Sequence, residues 1–336
     1  MKLSRLKYVP ATALSTLALL LTNAGAFAQA PETAANGFKI SPLRQDFTIE
    51  KGSSQKLTIT LTNTASVKII AKPVINDFIA SSDESGDPRV LLEENSKSSG
   101  NSFKNLVAPM ENFEMGPNEV KTLDIIVSVP ANAPAGGYYG AVRFAPAASD
   151  TSKIVALTAS VGTLVLVRVP GSVTEKAELV EIGAANVLTE SKDGKETKKA
   201  GTIGSLFSSG PIAIVVRLKN SGNVHVQPFG KITVKNSSGK EVEGYEFNQL
   251  GDAAQRSNIL PDSTRRFENV LKNDKWFGKY TVEANLGYAQ GSGDLISAKF
   301  SFWVIPTWVF IVGAAVLFAL AAGAFLFFRK MTNKKR

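Results

Sequence analysis

The feature that most constrains this sequence is a run of 23 residues without a charge, from position 306 to position 328. At 1.5 Å per residue, a helix over this run covers the roughly 30 Å hydrocarbon core of a bilayer. The run is apolar on every face, whereas a helix packed on a soluble core usually keeps a polar side. Trp303 and Trp308 lie near its first end, where indoles favour the membrane interface. The run therefore predicts a transmembrane helix over 306–328.

A basic tail follows the run and predicts its orientation. Residues 329–336 hold five cations and no anion, namely Arg329, Lys330, Lys334, Lys335 and Arg336. Because cytoplasmic flanks of membrane helices carry the excess of Lys and Arg, the tail predicts a cytoplasmic C-terminus. We therefore expect a single-pass plasma-membrane protein with an extracytoplasmic body. A tail this short cannot hold an enzymatic or signalling module, so activity is expected in that body.

The N-terminus has the pattern of a secretory signal. A basic segment over 1–7 precedes an apolar run over 11–21, and small residues follow up to Ala28. This order predicts a signal peptide over 1–28 that is cleaved between Ala28 and Gln29. An uncleaved N-terminal anchor is the alternative, although the apolar run is shorter than the roughly 20 residues that a membrane span needs.

The net charge is explained by the two ends. The chain has a formal charge of +9, but three cations belong to the signal and five to the tail. Without those eight cations, 30 Lys and Arg stand against 29 Asp and Glu. The nearly neutral body predicts no nucleic-acid partner. The chain also has no cysteine, which excludes a disulfide framework and favours a bacterial envelope protein.

The body alternates apolar and polar residues with the period of a β-strand. The clearest examples are Leu57-Ile59-Leu61, Leu123-Ile125-Val127, Ile214-Val216-Leu218 and Val282-Ala284-Leu286. Each pattern predicts a strand with one buried and one solvated face. Turn residues separate the strands without helical patterns between them, so we predict antiparallel β-sandwiches.

A weak internal repeat divides the body in two. An alternating strand ends in Leu-x-Asn-Thr/Ser at Asn63 and again at Asn220, and a proline turn and a Gly-x-Tyr strand follow in each half. The asparagines are expected to bond nearby backbone at a strand end. We predict a linker over 29–36 and two tandem immunoglobulin-like β-sandwiches over 37–170 and 171–305. Chance similarity between sandwich strands is the alternative.

Catalytic residues are not evident. His225 is the only histidine, and with no cysteine the chain cannot build most zinc or copper sites. We predict no catalytic, metal or cofactor-binding residue, and we interpret His225 as a half-buried or surface strand residue. The acidic segment 83–87 is expected to be a solvated loop, and Asp77 ends a strand without an evident partner.

Other segments have local interpretations. The polar stretch 81–103 is expected to be a loop, and 189–204 a hairpin turn or an exposed excursion. Four aromatic residues near predicted strand ends are expected to pack in cores, with a ligand site as the alternative; they are Phe78, Phe113, Trp276 and Phe277.

The chain resembles the WxL-interacting proteins of Gram-positive bacterial surfaces. The resemblance rests on Ile40-Ser41-Pro42, Lys51-Gly52, Leu57 to Asn63, Pro130 to Phe144, Leu260 to Ser263 and Gly278 to Thr281. The sequence departs from the family at Gly140-Ala141-Val142 and at Leu43-Arg44-Gln45. The resemblance implies two immunoglobulin-like domains, of which the first binds cell-wall peptidoglycan and the second binds surface or host proteins.

Three functions are consistent with these features. The leading hypothesis is a non-enzymatic envelope-binding or adhesion protein that binds through sheet edges or loops. A structural scaffold or assembly subunit is the alternative, with small residues of the membrane helix as a contact surface (Ala314, Ala315, Ala319, Ala322 and Gly323). A glycan-active enzyme would require two carboxylates roughly 5–10 Å apart in a groove. The sequence patterns do not identify the residues that bind the ligand.

Overall fold

The computed structural model describes residues 37–92, 101–148, 160–192, 195–249, 256–273, 276–288 and 295–333. The predicted signal peptide, the Ala28–Gln29 cleavage site and the linker lie outside these residues. The strands, in chain order, are β1 (Phe38–Ser41), β2 (Arg44–Thr48), β3 (Ser54–Asn63), β4 (Ile69–Ala80), β5 (Pro88–Val90), β6 (Asn101–Ser102), β7 (Phe113–Met115), β8 (Val120–Ser128), β9 (Gly136–Ala148), β10 (Val161–Val169), β11 (Ala177–Lys192), β12 (Lys195–Gly204), β13 (Leu206–Phe207), β14 (Ile212–Asn220), β15 (Phe229–Asn236), β16 (Glu241–Phe247), β17 (Thr264–Val270), β18 (Gly278–Gly287) and β19 (Ile296–Val304). A short 3₁₀ helix spans Phe103–Leu106, and helix α1 spans Thr307–Asn333.

Strands β1–β10 form the N-terminal half of the body. One sheet has the order β1-β3-β8 and the other has the order β2-β10-β9-β4-β5, with β7 on β4 and β6 on β9. Strand β2 runs parallel to β10. The alternating residues Leu57, Ile59 and Leu61 are buried together with Phe144 and Val165 in the core of this half. Burial of each such side chain contributes about 1.5–3 kcal/mol.

Strands β11–β19 form the C-terminal half. Its sheets have the orders β12-β11-β14-β17 and β13-β19-β18-β15-β16, and β13 runs parallel to β19. Ile214, Val216 and Leu218 from one sheet are buried with Val282 and Phe302 from the other. The strand order repeats that of the N-terminal half: β11, β14 and β17 stand where β1, β3 and β8 stand, and β12 is an additional edge strand.

A buried asparagine fixes the end of β3. The amide of Asn63 accepts from the backbone N–H of Ala65 at 2.9 Å and donates to the carbonyl oxygens of Val67 at 2.9 Å and Gly116 at 2.8 Å. The bond to Gly116 reaches the turn before β8. Asn63 therefore joins two segments that are more than 50 residues apart, beyond the local role that its sequence position predicts.

Asn220 does the same at the end of β14. Its amide accepts from Gly222 N at 2.8 Å and donates to Val224 O and Ile259 O, both at 2.8 Å. The two local bonds have the same sequence offsets as those of Asn63, and the third again reaches a turn that contains a proline. The internal repeat is thus a repeat of strand order and of buried hydrogen bonds.

Helix α1 begins directly after the second half. Its stretch Thr307–Met331 has 25 residues, and its most apolar 18-residue window has a mean hydropathy of 2.6, so it is long and apolar enough to cross a membrane. The helix extends past the predicted end at 328 through Arg329 and Lys330. The described part of the chain is therefore mostly β-sandwich with one C-terminal apolar helix, which confirms the predicted fold class in this coarser form. The two tandem immunoglobulin-like domains stay a prediction. The domain boundaries at 37–170 and 171–305 stay predictions.

Two predicted loops contain strands. The stretch 81–103 includes β5, which pairs with β4, and β6, which pairs with β9. The stretch 189–204 belongs to the β11–β12 hairpin, as one of its two interpretations required. Strand pairing along these polar segments depends on backbone hydrogen bonds and not on alternating apolar residues. The hydrophobic pattern of the sequence therefore did not reveal these strands.

Candidate functional site

A cleft of about 550 Å³ opens between the two halves of the body. Both halves contribute to its lining, which consists of Asp46, Phe47, Thr48, Arg168, Glu175, His225, Val226, Gln227, Phe229, Arg256 and Tyr288. Strand β2 and the end of β10 form one wall, and the segment between β14 and β15 forms the other together with Phe229, Arg256 and Tyr288. Clefts between halves of this kind are common binding sites.

Strand β2 presents an open edge to this cleft. It is the terminal strand of its sheet and pairs only with β10 among the described strands. Leu164 N–H donates to Leu43 O at 2.9 Å, and Ile49 N–H donates to Arg168 O at 3.0 Å. In a parallel ladder the residues that bond the neighbour alternate, so the odd-numbered residues bond to β10. The backbone groups of residues 44, 46 and 48 therefore point outward.

His225 lies in a loop at the cleft and not in a strand, contrary to the sequence interpretation. Its backbone N–H donates to the hydroxyl oxygen of Tyr139 at 2.7 Å, and its Nδ1 lies 3.3 Å from the same oxygen. The two rings meet edge to face at 5.7 Å between centroids. Tyr139 belongs to the N-terminal half, so the contact between His225 and Tyr139 connects the two halves.

Burial sets the protonation of this pair. Burial lowers the pKa of His225 to about 4, and the negative charge of Asp46 opposes that shift only in part. Burial also raises the pKa of Tyr139 above its ordinary value. At neutral pH the pair therefore consists of a neutral imidazole and a protonated phenol, and these two groups can share a hydrogen bond without a change of protonation.

The charged residues of the cleft are largely paired with one another. Arg168 at the end of β10 forms an ion pair with Glu175. On β2, Arg44 Nε donates to Asp46 Oδ1 at 3.1 Å. The guanidinium of Arg256 lies 4.6 Å from the centre of the Phe229 ring. The cleft is polar without a strong excess of either charge.

An ion pair also connects the two halves near the β4–β5 edge of the N-terminal sheet, opposite the β2 edge. Glu84 accepts from Arg217 Nε at 2.7 Å and Nη2 at 2.6 Å, and Arg217 Nη1 also donates to Glu181 at 2.9 Å. The backbone oxygen of Glu84 accepts from Arg266 N–H at 2.8 Å. The hydrogen bonds from Arg217 lower the pKa of Glu84. The acidic segment 83–87 is therefore docked on the C-terminal half, whereas its composition predicted a solvated loop.

An apolar contact completes the junction. Phe78, Tyr139 and Leu166 form a small buried cluster of the N-terminal half, and Leu260 of the other half packs against it. Gly137 N–H also donates to Asn223 O at 2.9 Å. Contacts on several sides of the cleft thus fix the edge of β2 relative to the opposite wall.

Asp77 has a structural role that the sequence interpretation missed. It lies within β4, is buried, and accepts from Ser102 Oγ at 2.7 Å and from Lys104 N–H at 3.1 Å. These bonds hold the start of the 3₁₀ helix against β4. Because both donors are 25 or more residues away along the chain, they could not be inferred from the sequence pattern.

The remaining predicted residues divide into core, surface and tail. Phe78 and Trp276 are buried, and Phe113 packs against the core, as predicted. Phe277 is exposed, so its assignment to a core was wrong. Arg329 and Lys330 lie in the last turns of α1. The other tail cations lie outside the described residues; they are Lys334, Lys335 and Arg336.

Arg168 could have been identified from the sequence by one signal. Arg168 is the only charge in β10, VGTLVLVRV, which is otherwise apolar or small. A single charge in such a strand indicates either a strand end at solvent or an ion pair. Tyr139 had no comparable signal, since it follows Tyr138 in a strand where both are largely buried. Among the described residues, no group of three or more His, Cys, Asp or Glu is placed to hold a metal ion.

Comparison with known proteins gives a likeness in solved structures alone. No family model matches the chain, and no curated protein matches it. A structure described as a chaperone–tip adhesin complex of CFA/I fimbriae biogenesis is 12% identical, with a TM-score of 0.37, and the match covers 81% of this chain and 100% of that chain. The class 5 fimbriae chaperone CfaA is 15% identical, with a TM-score of 0.35, covering 79% of this chain and 99% of that chain. The E. coli chaperone DraB is 14% identical, with a TM-score of 0.33, covering 80% and 96%.

Proposed function

We propose that this chain is a non-enzymatic, membrane-anchored protein that binds an extended segment of a partner protein along the open edge of β2. In this proposal the halves are two tandem immunoglobulin-like domains, α1 spans the plasma membrane, and the body faces outside. The observation that carries the proposal is the edge itself, where the backbone groups of residues 44, 46 and 48 face away from β10, next to a cleft that Asp46, Phe47, Thr48 and residues of the other half line. Such an edge recognises a partner by strand addition.

The length of β2 suits pairing with a polypeptide. Five residues of β2 extend about 16 Å at 3.3 Å per residue, which matches a partner segment of similar length. Main-chain bonds along this edge would supply affinity, while the side chains of the opposite wall would select alternate residues of the partner. Because the charges of Arg168 and Asp46 are already paired, a neutral backbone enters this cleft more readily than a highly charged ligand.

Peptidoglycan binding, which the family resemblance implies, is the competing proposal for the ligand. A glycan would be recognised by exposed aromatic and polar side chains, and its binding would not depend on a row of backbone groups. Substitutions that change the backbone of β2 therefore distinguish the two ligands.

Asp46→Pro is the variant that tests the edge. A proline at this position removes an outward N–H and leaves the bonds between β2 and β10 intact, since residue 46 does not bond to β10. Asp46→Asn is the matched control, because it changes the same side chain and keeps the N–H. Both are made in the full chain, with a photo-crosslinking residue in place of Thr48, and are expressed in native membranes.

The proposal predicts one or more discrete protein crosslinks from position 48 that Asp46→Asn retains and Asp46→Pro reduces about tenfold or more. Equal crosslinking in the two variants would overturn it. A second arm sediments the purified full chain with purified peptidoglycan. Tight co-sedimentation that Asp46→Pro leaves unchanged, with no protein crosslink, would assign the ligand to the glycan instead.

A further inference from the structure

An exposed row of apolar and amphipathic residues lies at the end of the C-terminal half next to α1. Leu206 on β13 is in register with Trp303 on β19, and Trp303 is in register with Lys279 on β18. Leu206 is 61% exposed and Trp303 is 47% exposed. The neighbours of Trp303, Phe302 and Val304, are buried, so its indole projects from the outer face of the sheet. We call Leu206, Trp303, Lys279, Phe277 and Trp308 the base patch.

Two aromatic rings extend the base patch to the helix. Phe277, in the loop before β18, stacks on Trp308 of α1 with 6.2 Å between ring centroids and 13° between ring planes. Phe277 is 62% exposed and Trp308 is 56% exposed. Single apolar residues are common on protein surfaces, but here they are contiguous with a helix that is apolar throughout.

The connection between β19 and α1 is short and held at both ends. Only Ile305 and Pro306 separate Val304 from Thr307. Ile305 N–H donates to Phe207 O at 2.8 Å, and Val309 N–H donates to Pro306 O at 2.9 Å. At 3.8 Å per step between Cα atoms, Thr307 lies no more than about 11 Å from Val304. The base patch therefore cannot move far from the level at which α1 begins.

We propose that the base patch lies in the interfacial layer of the bilayer, so that the C-terminal half rests on the membrane in one orientation. The proposal depends on the membrane insertion of α1 stated above. The polar interfacial layer on each side of the hydrocarbon core is about 5–8 Å thick, which is comparable to the length of the short connection. Indoles favour this layer, and the amine of Lys279 can reach lipid phosphates while its stem covers apolar surface.

Single introduced cysteines test the proposal directly, because the natural chain has none. Leu206→Cys and Phe277→Cys are made separately in the full chain, labelled with a nitroxide, and reconstituted in phosphatidylcholine nanodiscs. The accessibility of each label to oxygen and to a neutral nickel chelate gives its depth. Val180→Cys is the matched control, since Val180 is an exposed apolar residue of the same half on β11, toward the end that faces the N-terminal half. Val316→Cys reports whether α1 itself is inserted.

The proposal predicts that labels at 206 and 277 are several-fold more accessible to oxygen than to nickel, relative to the label at 180, and shallower than the label at 316. Labels at 206 and 277 that match the label at 180 would overturn it. Labels shielded from both reagents would also overturn it, because protein would then cover the patch. If the label at 316 is accessible to nickel, the insertion of α1 has failed, and the membrane part of the proposed function fails with the patch.

Discussion

Replacing Asn220 by alanine should destabilise the C-terminal half far more than an ordinary asparagine substitution. Its side chain is fully buried and makes three hydrogen bonds of 2.8 Å, with Gly222 N, Val224 O and Ile259 O. Alanine removes all three bonds and leaves one backbone donor and two acceptors without this partner. A buried polar group that loses its partner costs about 1–3 kcal/mol. Allowing for relaxation and water entry, we expect the free energy of unfolding to fall by about 3 kcal/mol.

Asn236→Ala is the matched control in the same half. The Asn236 side chain accepts from Ser238 N–H at 3.1 Å and Lys240 N–H at 3.0 Å, but in an exposed turn where water replaces it. Its loss should cost less than about 1 kcal/mol. The two variants therefore compare the same chemical change in a buried and in a solvated setting.

Urea unfolding of the full chain in detergent micelles, followed by tryptophan fluorescence, measures the difference. All three tryptophans lie in or beside the C-terminal half, at 276, 303 and 308. With a slope of about 2 kcal/mol per molar urea, the midpoint for Asn220→Ala should fall by about 1.5 M. A shift no larger than that of Asn236→Ala would refute the reasoning, because the buried amide would then contribute nothing beyond a turn.

Two further predictions concern the junction between the halves. Because the pKa of His225 falls from an ordinary 6.5 to about 4 on folding, its contribution to stability should be full above pH 6.5 and should decline as the pH drops toward 4. His225→Gln should reduce this decline, which is measured as the difference between the urea midpoints at pH 7 and pH 4.5. An unchanged decline in the variant would contradict the prediction. Glu84→Gln should lower the free energy of unfolding by about 1 kcal/mol at pH 7, a modest value because the pair with Arg217 is partly exposed. Since the hydrogen bonds of that pair lower the pKa of Glu84 below its ordinary 4.5, the difference between this variant and the natural chain should shrink as the pH falls from 4.5 through that lowered pKa. A difference that stays constant with pH would contradict the prediction.

Period-2 alternation predicted much of the fold because it reports burial directly. Leu57, Ile59 and Leu61 lie in β3 and face the core, as do Ile214, Val216 and Leu218 in β14. Each of these patterns is local, and one face of each strand meets a single core. The uncharged run likewise predicted a helix, since its length and composition are local properties as well.

The junction could not be predicted from the sequence because its contacts are distant along the chain. Glu84 and Arg217 are 133 residues apart, and Tyr139 and His225 are 86 residues apart. The acidic segment 83–87 has the composition of a solvated loop, and only its docking on Arg217 reveals another role. His225 was assigned to a strand because it lies between valines, but both Val224 and Val226 are buried in a loop, so two buried neighbours imitated a strand.

The repeated strand order gives two equivalent edges with different surroundings. Strand β2 runs parallel to the last strand of the first half, and β13 runs parallel to the last strand of the second. Strand β2 has five residues and opens into the cleft between the halves, whereas β13 has two and lies beside the start of α1. The longer edge has room to pair with an extended segment, while the shorter edge contributes Leu206 to an exposed apolar row. If both proposals hold, the two equivalent edge strands make different contacts. Strand β2 binds a protein chain at the junction between the halves, and β13 lies against lipid next to α1. The distance between these two contacts would then be set by the length of the C-terminal half, which holds the partner site away from the membrane.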